Sequence, residues 1–144
     1  MRRIAGIAWV ILIALSVLPS AGRAHVAIRN CGTLTIGPAG DKQGAVGGAV
    51  CLLRAFEQRC LPANYRLSIF GVDTATTDRF ELVLRNARCR IDVFASFRVI
   101  PQPKRLHHGR CTTLRRQHSH VIATGCLGSG IPRSIWLDAR GRTP

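Results

Sequence analysis

Five histidines and a short run of cations carry the sharpest chemistry in this chain. If the first 24 residues are removed, His25 becomes an N-terminal residue. Its free amine and imidazole could then chelate one metal ion, with copper(II) the preferred choice and a second imidazole completing a T-shaped set. His118 and His120 stand two apart on an expected strand, which would place them on one side. His107 and His108 are adjacent and expected in a loop. The second group lies between residues 104 and 120, where Lys104, Arg105, Arg110, Arg115 and Arg116 are interleaved with those four histidines. It could grip phosphates or carboxylates, more tightly below about pH 6.5, where histidines charge. It lacks the alternating aromatics of a single-strand nucleic-acid platform, so nucleic acid is not an expected partner. The third group is Asp73, Asp78 and Glu81. Its spacing matches no calcium loop, and Asp73 is expected to cap its own turn.

The cysteines come next: Cys31, Cys51, Cys60, Cys89, Cys111 and Cys126. An even count in an exported chain reads as three disulfides. There is no Cys-x-x-Cys pair, so a structural zinc site is not indicated. Cys51 and Cys60 sit on one expected helix, about 13.5 Å apart in rise, beyond the roughly 7 Å that a disulfide spans. Cys111 and Cys126 would face each other across a hairpin near His118. Cys60 at the helix end could reach Cys89 at a strand start, leaving Cys31 for Cys51. Nucleophilic catalysis has no support, because the chain lacks a Gly-x-Ser-x-Gly elbow and a glycine-rich phosphate loop ahead of a helix. No catalytic residue, small-molecule substrate or cofactor is expected; copper at His25, His118 and His120 is the one metal the residues suggest.

These groups need elements to position them, and the N-terminus says where those elements would be made. Arg2 and Arg3 precede an apolar run over residues 4–18, followed by Pro19, Ser20 and the small residues Ala21, Gly22 and Ala24. That order is a secretory signal, shorter than the roughly 20 residues of a membrane span. Cleavage is expected after Ala24, leaving residues 25–144 as a single secreted domain. The chain holds 21 Lys and Arg against 7 Asp and Glu, a formal net charge of +14. The leader takes Arg2, Arg3 and Arg23 and none of the acids, so the remaining domain is still strongly basic. Such a field favours anionic partners: envelope polymers or lipid head groups.

Periodicity supplies the rest. Residues 33–36 read as a brief strand. From residue 41 apolar residues recur at helical spacing: Val46, Ala49, Val50, Leu53 and Phe56, widened by Ala45, Leu52 and Ala55. Gly44, Gly47 and Gly48 weaken the start, so firm helix is expected near Ala49, with Leu61-Pro62 ending it. The period then changes to two around Tyr65, Leu67 and Ile69, and again around Phe80, Leu82 and Leu84, with a polar turn over 71–78 between them. Asn86, Ala87 and Arg88 make a tight connection to the clearest strand, where Cys89, Ile91, Val93, Ala95, Phe97 and Val99 share one face. Residues 104–110 read as a basic loop, two short strands follow between Cys111 and Cys126, and 135–137 is a last edge strand. The expected fold is α+β: one helix packed on a meandering antiparallel sheet of about four to five strands, stapled by disulfides.

The order Cys31-Gly-Thr, Cys51-Leu-Leu-Arg-Ala-Phe, Cys60-Leu-Pro-Ala, Gly71-Val-Asp-Thr, the Phe80 strand, Cys89-Arg-Ile-Asp, Cys111-Thr and Cys126 resembles a group of exported bacterial proteins of unassigned function. In that group a Cys-rich helix is followed by a Gly-Val-Asp-Thr turn and further cysteines. The resemblance covers roughly residues 31–126 and implies export, but no activity and no site residues. Leu52 stands where an aromatic is usual, the helix cysteines are one residue further apart, and the 104–120 segment is more basic. Three functions follow as expectations: a secreted, non-enzymatic basic domain that binds anionic envelope or extracellular partners; a copper protein using His25; or a secreted inhibitor or effector presenting the 71–78 loop to another protein.

Overall fold

The computed structural model describes residues 27–139. The expected leader, its cleavage site and His25 lie outside these residues. Alternation of apolar and polar residues produces a large sheet from strands β1 (Arg29–Ile36), β2 (Lys42–Gly44), β3 (Ala63–Phe70), β4 (Thr74–Arg85), β5 (Arg88–Val99), β6 (Arg105–Cys111) and β9 (Leu127–Gly128). Their order is β2-β1-β3-β4-β5-β6-β9. A second, three-stranded sheet orders β10 (Ser134–Trp136), β8 (His120–Thr124) and β7 (Thr113–Gln117). The one helix among the described residues, α1, spans Gly48–Glu57. The α+β class stands, but the main sheet has seven strands rather than four to five.

Three readings fail for physical reasons. The sheet is not wholly antiparallel: β1 pairs parallel to β3, and α1 supplies the crossover such a pair needs. The segment expected as a turn over 71–78 is already strand from Thr74, because its three β-branched threonines suit a pleated surface and pair on both sides. The inhibitor loop read over 71–78 therefore shrinks to residues 71–73. The basic loop expected over 104–110 is β6, paired with β5 from Ile91↔Cys111 to Phe97↔Arg105. Its inward positions are Arg105, His107, Gly109 and Cys111, too polar to register as an apolar face. Gly109 is buried against β9, where a Cβ would lie 2.5 Å from the Leu127 carbonyl oxygen.

The helix turns the expected apolar side inward, with Val50 and Phe56 at its margin and Val46 ahead of its first residue. It buries Gly48, Ala49, Leu52, Leu53 and Ala55, while Val46 is exposed and Val50 and Phe56 are half-buried. Gly48 lets the first turn approach the sheet closely: a Cβ there would sit 2.5 Å from the Tyr65 ring and 2.6 Å from the Cys31 carbonyl oxygen. Arg59 and Cys60 end the helix ahead of Leu61-Pro62, both in the left-handed region at φ 58°. The amides of Cys60 and Leu61 donate to the carbonyls of Phe56 and Ala55.

One face of the large sheet makes the core. Leu34, Tyr65, Leu67, Phe80, Ile91 and Val93 are fully buried there, and α1 lies on β1, β3 and β4. On its flank α1 meets β7 and β8, which add Leu114, Val121 and Ala123. The Tyr65 hydroxyl crosses this layer and donates to the Leu137 carbonyl oxygen at 2.7 Å. All six cysteines are bridged, as Cys31–Cys51, Cys60–Cys89 and Cys111–Cys126. These are the pairs argued from helix rise and hairpin symmetry, and they fit an oxidising compartment. No helix among the described residues is long and apolar enough to cross a membrane.

Candidate anion-binding face

The strands that bury Tyr65, Leu67, Phe80, Ile91 and Val93 must point their alternate residues the other way. On that opposite face, which carries no helix among the described residues, the registers line residues up in rows. Arg66 of β3 pairs with Arg79 of β4, which pairs with Phe94 of β5, which pairs with His108 of β6. The next row is Ser68, Thr77, Ser96 and Leu106; the row on the other side is Asn64, Glu81, Asp92 and Arg110. Further along, Arg90 opposes Val83, and Arg85 directly opposes Arg88 across the hairpin. That hairpin closes through Asn86 and Ala87, both with positive φ (51° and 58°), the geometry that keeps two-residue hairpins in step with strand twist.

Charge on this face is lopsided. Its acids, Glu81 and Asp92, are already taken: Arg79 Nε lies 3.1 Å from Glu81, and Arg90 meets Asp92 through Nε at 3.1 Å and Nη2 at 3.4 Å. Arg66, Arg85, Arg88, Arg98 and Arg110 form no ion pair among the described residues. Arg85, Arg88, Arg90 and Arg110 surround one depression with Asn86. Arg66 and Arg79 border a second hollow of about 550 Å³, floored by Ser68, Thr77 and Ser96 and edged by Phe94, Leu106 and Lys104. Within it the Arg79 guanidinium sits 4.5 Å over the Phe94 ring, and the His108 ring stacks 4.7 Å from Phe94 at 24°.

The cations expected to act together are dispersed. Arg110 joins the hairpin arginines and Lys104 borders the hollow. Arg105 is on the opposite side of β6 from Arg110 by register, and Arg115 and Arg116 belong to β7 of the small sheet. Contiguity in sequence did not translate into one patch. The arginines that do cluster, Arg66, Arg79, Arg85, Arg88 and Arg90, were visible only as outward positions of separate strands.

The histidines disperse likewise. His118 is not on a strand; it occupies the β7–β8 turn at φ 55°. His120 opens β8, its Nδ1 3.1 Å from Asp138 Oδ1 and its ring edge-on to Trp136. Asp138 also accepts the Val121 amide. His107 and His108 are strand residues pointing to opposite sides of β6. No group of three or more His, Cys, Asp or Glu that could hold a metal occurs among the described residues; the His25 part of the copper reading lies outside them. The carboxylate group also separates. Asp78 is buried on the core side, Glu81 is on the open side with Arg79, and the Asp73 carbonyl accepts the Ile100 amide.

Comparison with known proteins finds no matching family model, no matching curated protein and no matching solved structure.

Proposed function

We propose that this protein is an exported, disulfide-held binding domain that captures an anionic envelope or extracellular polymer along the open face of its large sheet. The observation that carries this reading is a pair of like-charge oppositions, Arg66↔Arg79 and Arg85↔Arg88. Like charges directly across a strand pair are destabilising, in full at Arg85↔Arg88 and with part offset by Glu81 at Arg66↔Arg79, and an anion lodged between them reverses the sign. Both pairs include β4, six residues apart, or about 20 Å along the strand. A ligand with repeating negative groups engages both; a single small anion engages one. The bulk charge of the chain steers such a polymer inward.

The test compares the two charged regions. Arg85→Glu with Arg88→Glu should weaken binding to an anionic polymer at least tenfold at low salt. Arg115→Glu with Arg116→Glu, on the small sheet, should change it by less than twofold. Equal losses from both would mean that net charge alone attracts the polymer. Binding to the unaltered protein should fade towards 1 M salt, where screening acts within about 3 Å. The export part is checked by intact mass: a chain beginning at His25, with six thiols appearing only on reduction.

A further inference from the structure

We infer that the hollow between β3 and β6 is a subsite for the sugar ring of an acidic saccharide, so that the polymer is a glycan bearing carboxylates. This deepens the polyanion reading and rests on it. Among the described residues the lining holds no carboxylate, which selects against cationic ligands. Arg79 is fixed before any ligand arrives: Phe94 lies under its guanidinium at 4.5 Å and Glu81 holds its Nε at 3.1 Å. Its remaining N–H groups form a preorganised fork for a carboxylate, with Arg66 directly opposite. A bare phosphate chain would be satisfied by such cations alone.

The floor is what a bare phosphate chain does not need. Ser68, Thr77 and Ser96 stand in one row across three strands. The Ser68 and Thr77 hydroxyls lie 3.3 Å apart, and Ser96 Oγ donates to the Thr77 carbonyl at 3.4 Å. Hydroxyls both donate and accept, which suits a ligand that is itself hydroxylated. Beside them Leu106 is 74 % exposed and offers an apolar contact for the C–H face of a ring. A nucleobase fits less well. Phe94 is flanked by Arg79 from β4 and by His108 from β6, so neither face of its ring is left as a stacking platform of the kind single-strand binders use. The volume, about 550 Å³, lies in the range of small-ligand sites, roughly 300–1,000 Å³.

The experiment measures binding of the disulfide-intact protein to a uronate oligosaccharide, a linear polyphosphate of equal charge and a single-stranded DNA of equal charge. The uronate should bind tightest. Thr77→Val with Ser96→Ala should weaken uronate binding about tenfold, the scale of one or two lost hydrogen bonds, and leave polyphosphate within twofold. Leu106→Ser, at an exposed position that folding tolerates, should weaken uronate about threefold and polyphosphate not at all. Equal binding of uronate and polyphosphate, with neither variant selective, would overturn the saccharide subsite and leave the polyanion reading standing. Tighter binding of the DNA would overturn the subsite as well. Binding of none of the three would defeat the polyanion reading, and the subsite with it.

Discussion

The two faces of the large sheet use the same strands for opposite ends. The covered face packs Tyr65, Phe80, Leu67, Ile91 and Val93 beneath α1 and the small sheet. The open face sets arginine against arginine twice, at Arg66↔Arg79 and Arg85↔Arg88. Buried apolar area stabilises at roughly 25 cal/mol per Å², so the covered face holds the fold. Opposed guanidinium groups cost a few tenths of a kcal/mol or more, least at Arg66↔Arg79, where Glu81 meets Arg79, and most at Arg85↔Arg88, so the open face gives some stability away. A feature that costs folding energy and is repeated on one surface points to a ligand rather than to architecture.

The largest effect should come from the covered face. Phe80 is fully buried, with its ring centroid 6.2 Å from that of Tyr65. Phe80→Ala should cost about 3–5 kcal/mol, read as a lower urea midpoint at unchanged slope. Polymer affinity, measured on the fraction still folded, should stay near that of the parent. A loss below about 1 kcal/mol would mean that the disulfides, not the apolar layer, hold this side.

A smaller effect is expected where the covered face hides a polar atom. Burial first, and the negative charge of Asp138 second, push the Tyr65 hydroxyl well above the ordinary tyrosine value near 10. The folded state therefore keeps its proton where the unfolded chain has lost it. That contribution is fully present below about pH 10 and is lost as pH rises towards the folded value. Tyr65→Phe should cost about 1–3 kcal/mol at neutral pH, since it leaves the Leu137 carbonyl without its donor. The gap between parent and variant should then narrow above about pH 10. Urea midpoints taken from pH 7 to 11 check both parts; a gap that stays constant would show that the hydroxyl is not shielded from water.

The covered face was also the more legible one. Helix rise separates Cys51 from Cys60, and the 89–99 alternation picks out the core side of β5, where Ile91, Val93 and Ala95 are buried and Cys89, Phe97 and Val99 half-buried. The parallel β1–β3 pairing was not visible, because it joins residues on either side of a helix and leaves no local period. The open face needed register most of all. Arg66, Arg79, Arg85 and Arg90 each look like an ordinary solvated position on the polar side of a strand, and only cross-strand alignment makes them opponents. The histidine-rich run 107–120 is contiguous in sequence, yet a strand and a turn send its members to different sides. Alternation says which way a residue points; it does not say what stands beside it.

The smallest change in stability is the sharpest test of the contrast between faces. Arg85 and Arg88 flank a turn, are exposed, and form no ion pair among the described residues. Arg88→Thr removes one charge of the opposed pair and places a β-branched residue at a strand position that suits it. Folding stability should therefore rise slightly, by about 0.2–1 kcal/mol, and the gain should shrink as salt screens the repulsion. Polymer affinity should move the other way, falling severalfold at low salt. Opposite signs from one substitution would separate a surface kept for binding from one kept for folding. If stability falls together with affinity, the arginine pair supports the hairpin, and the open face loses the argument that assigns it a ligand.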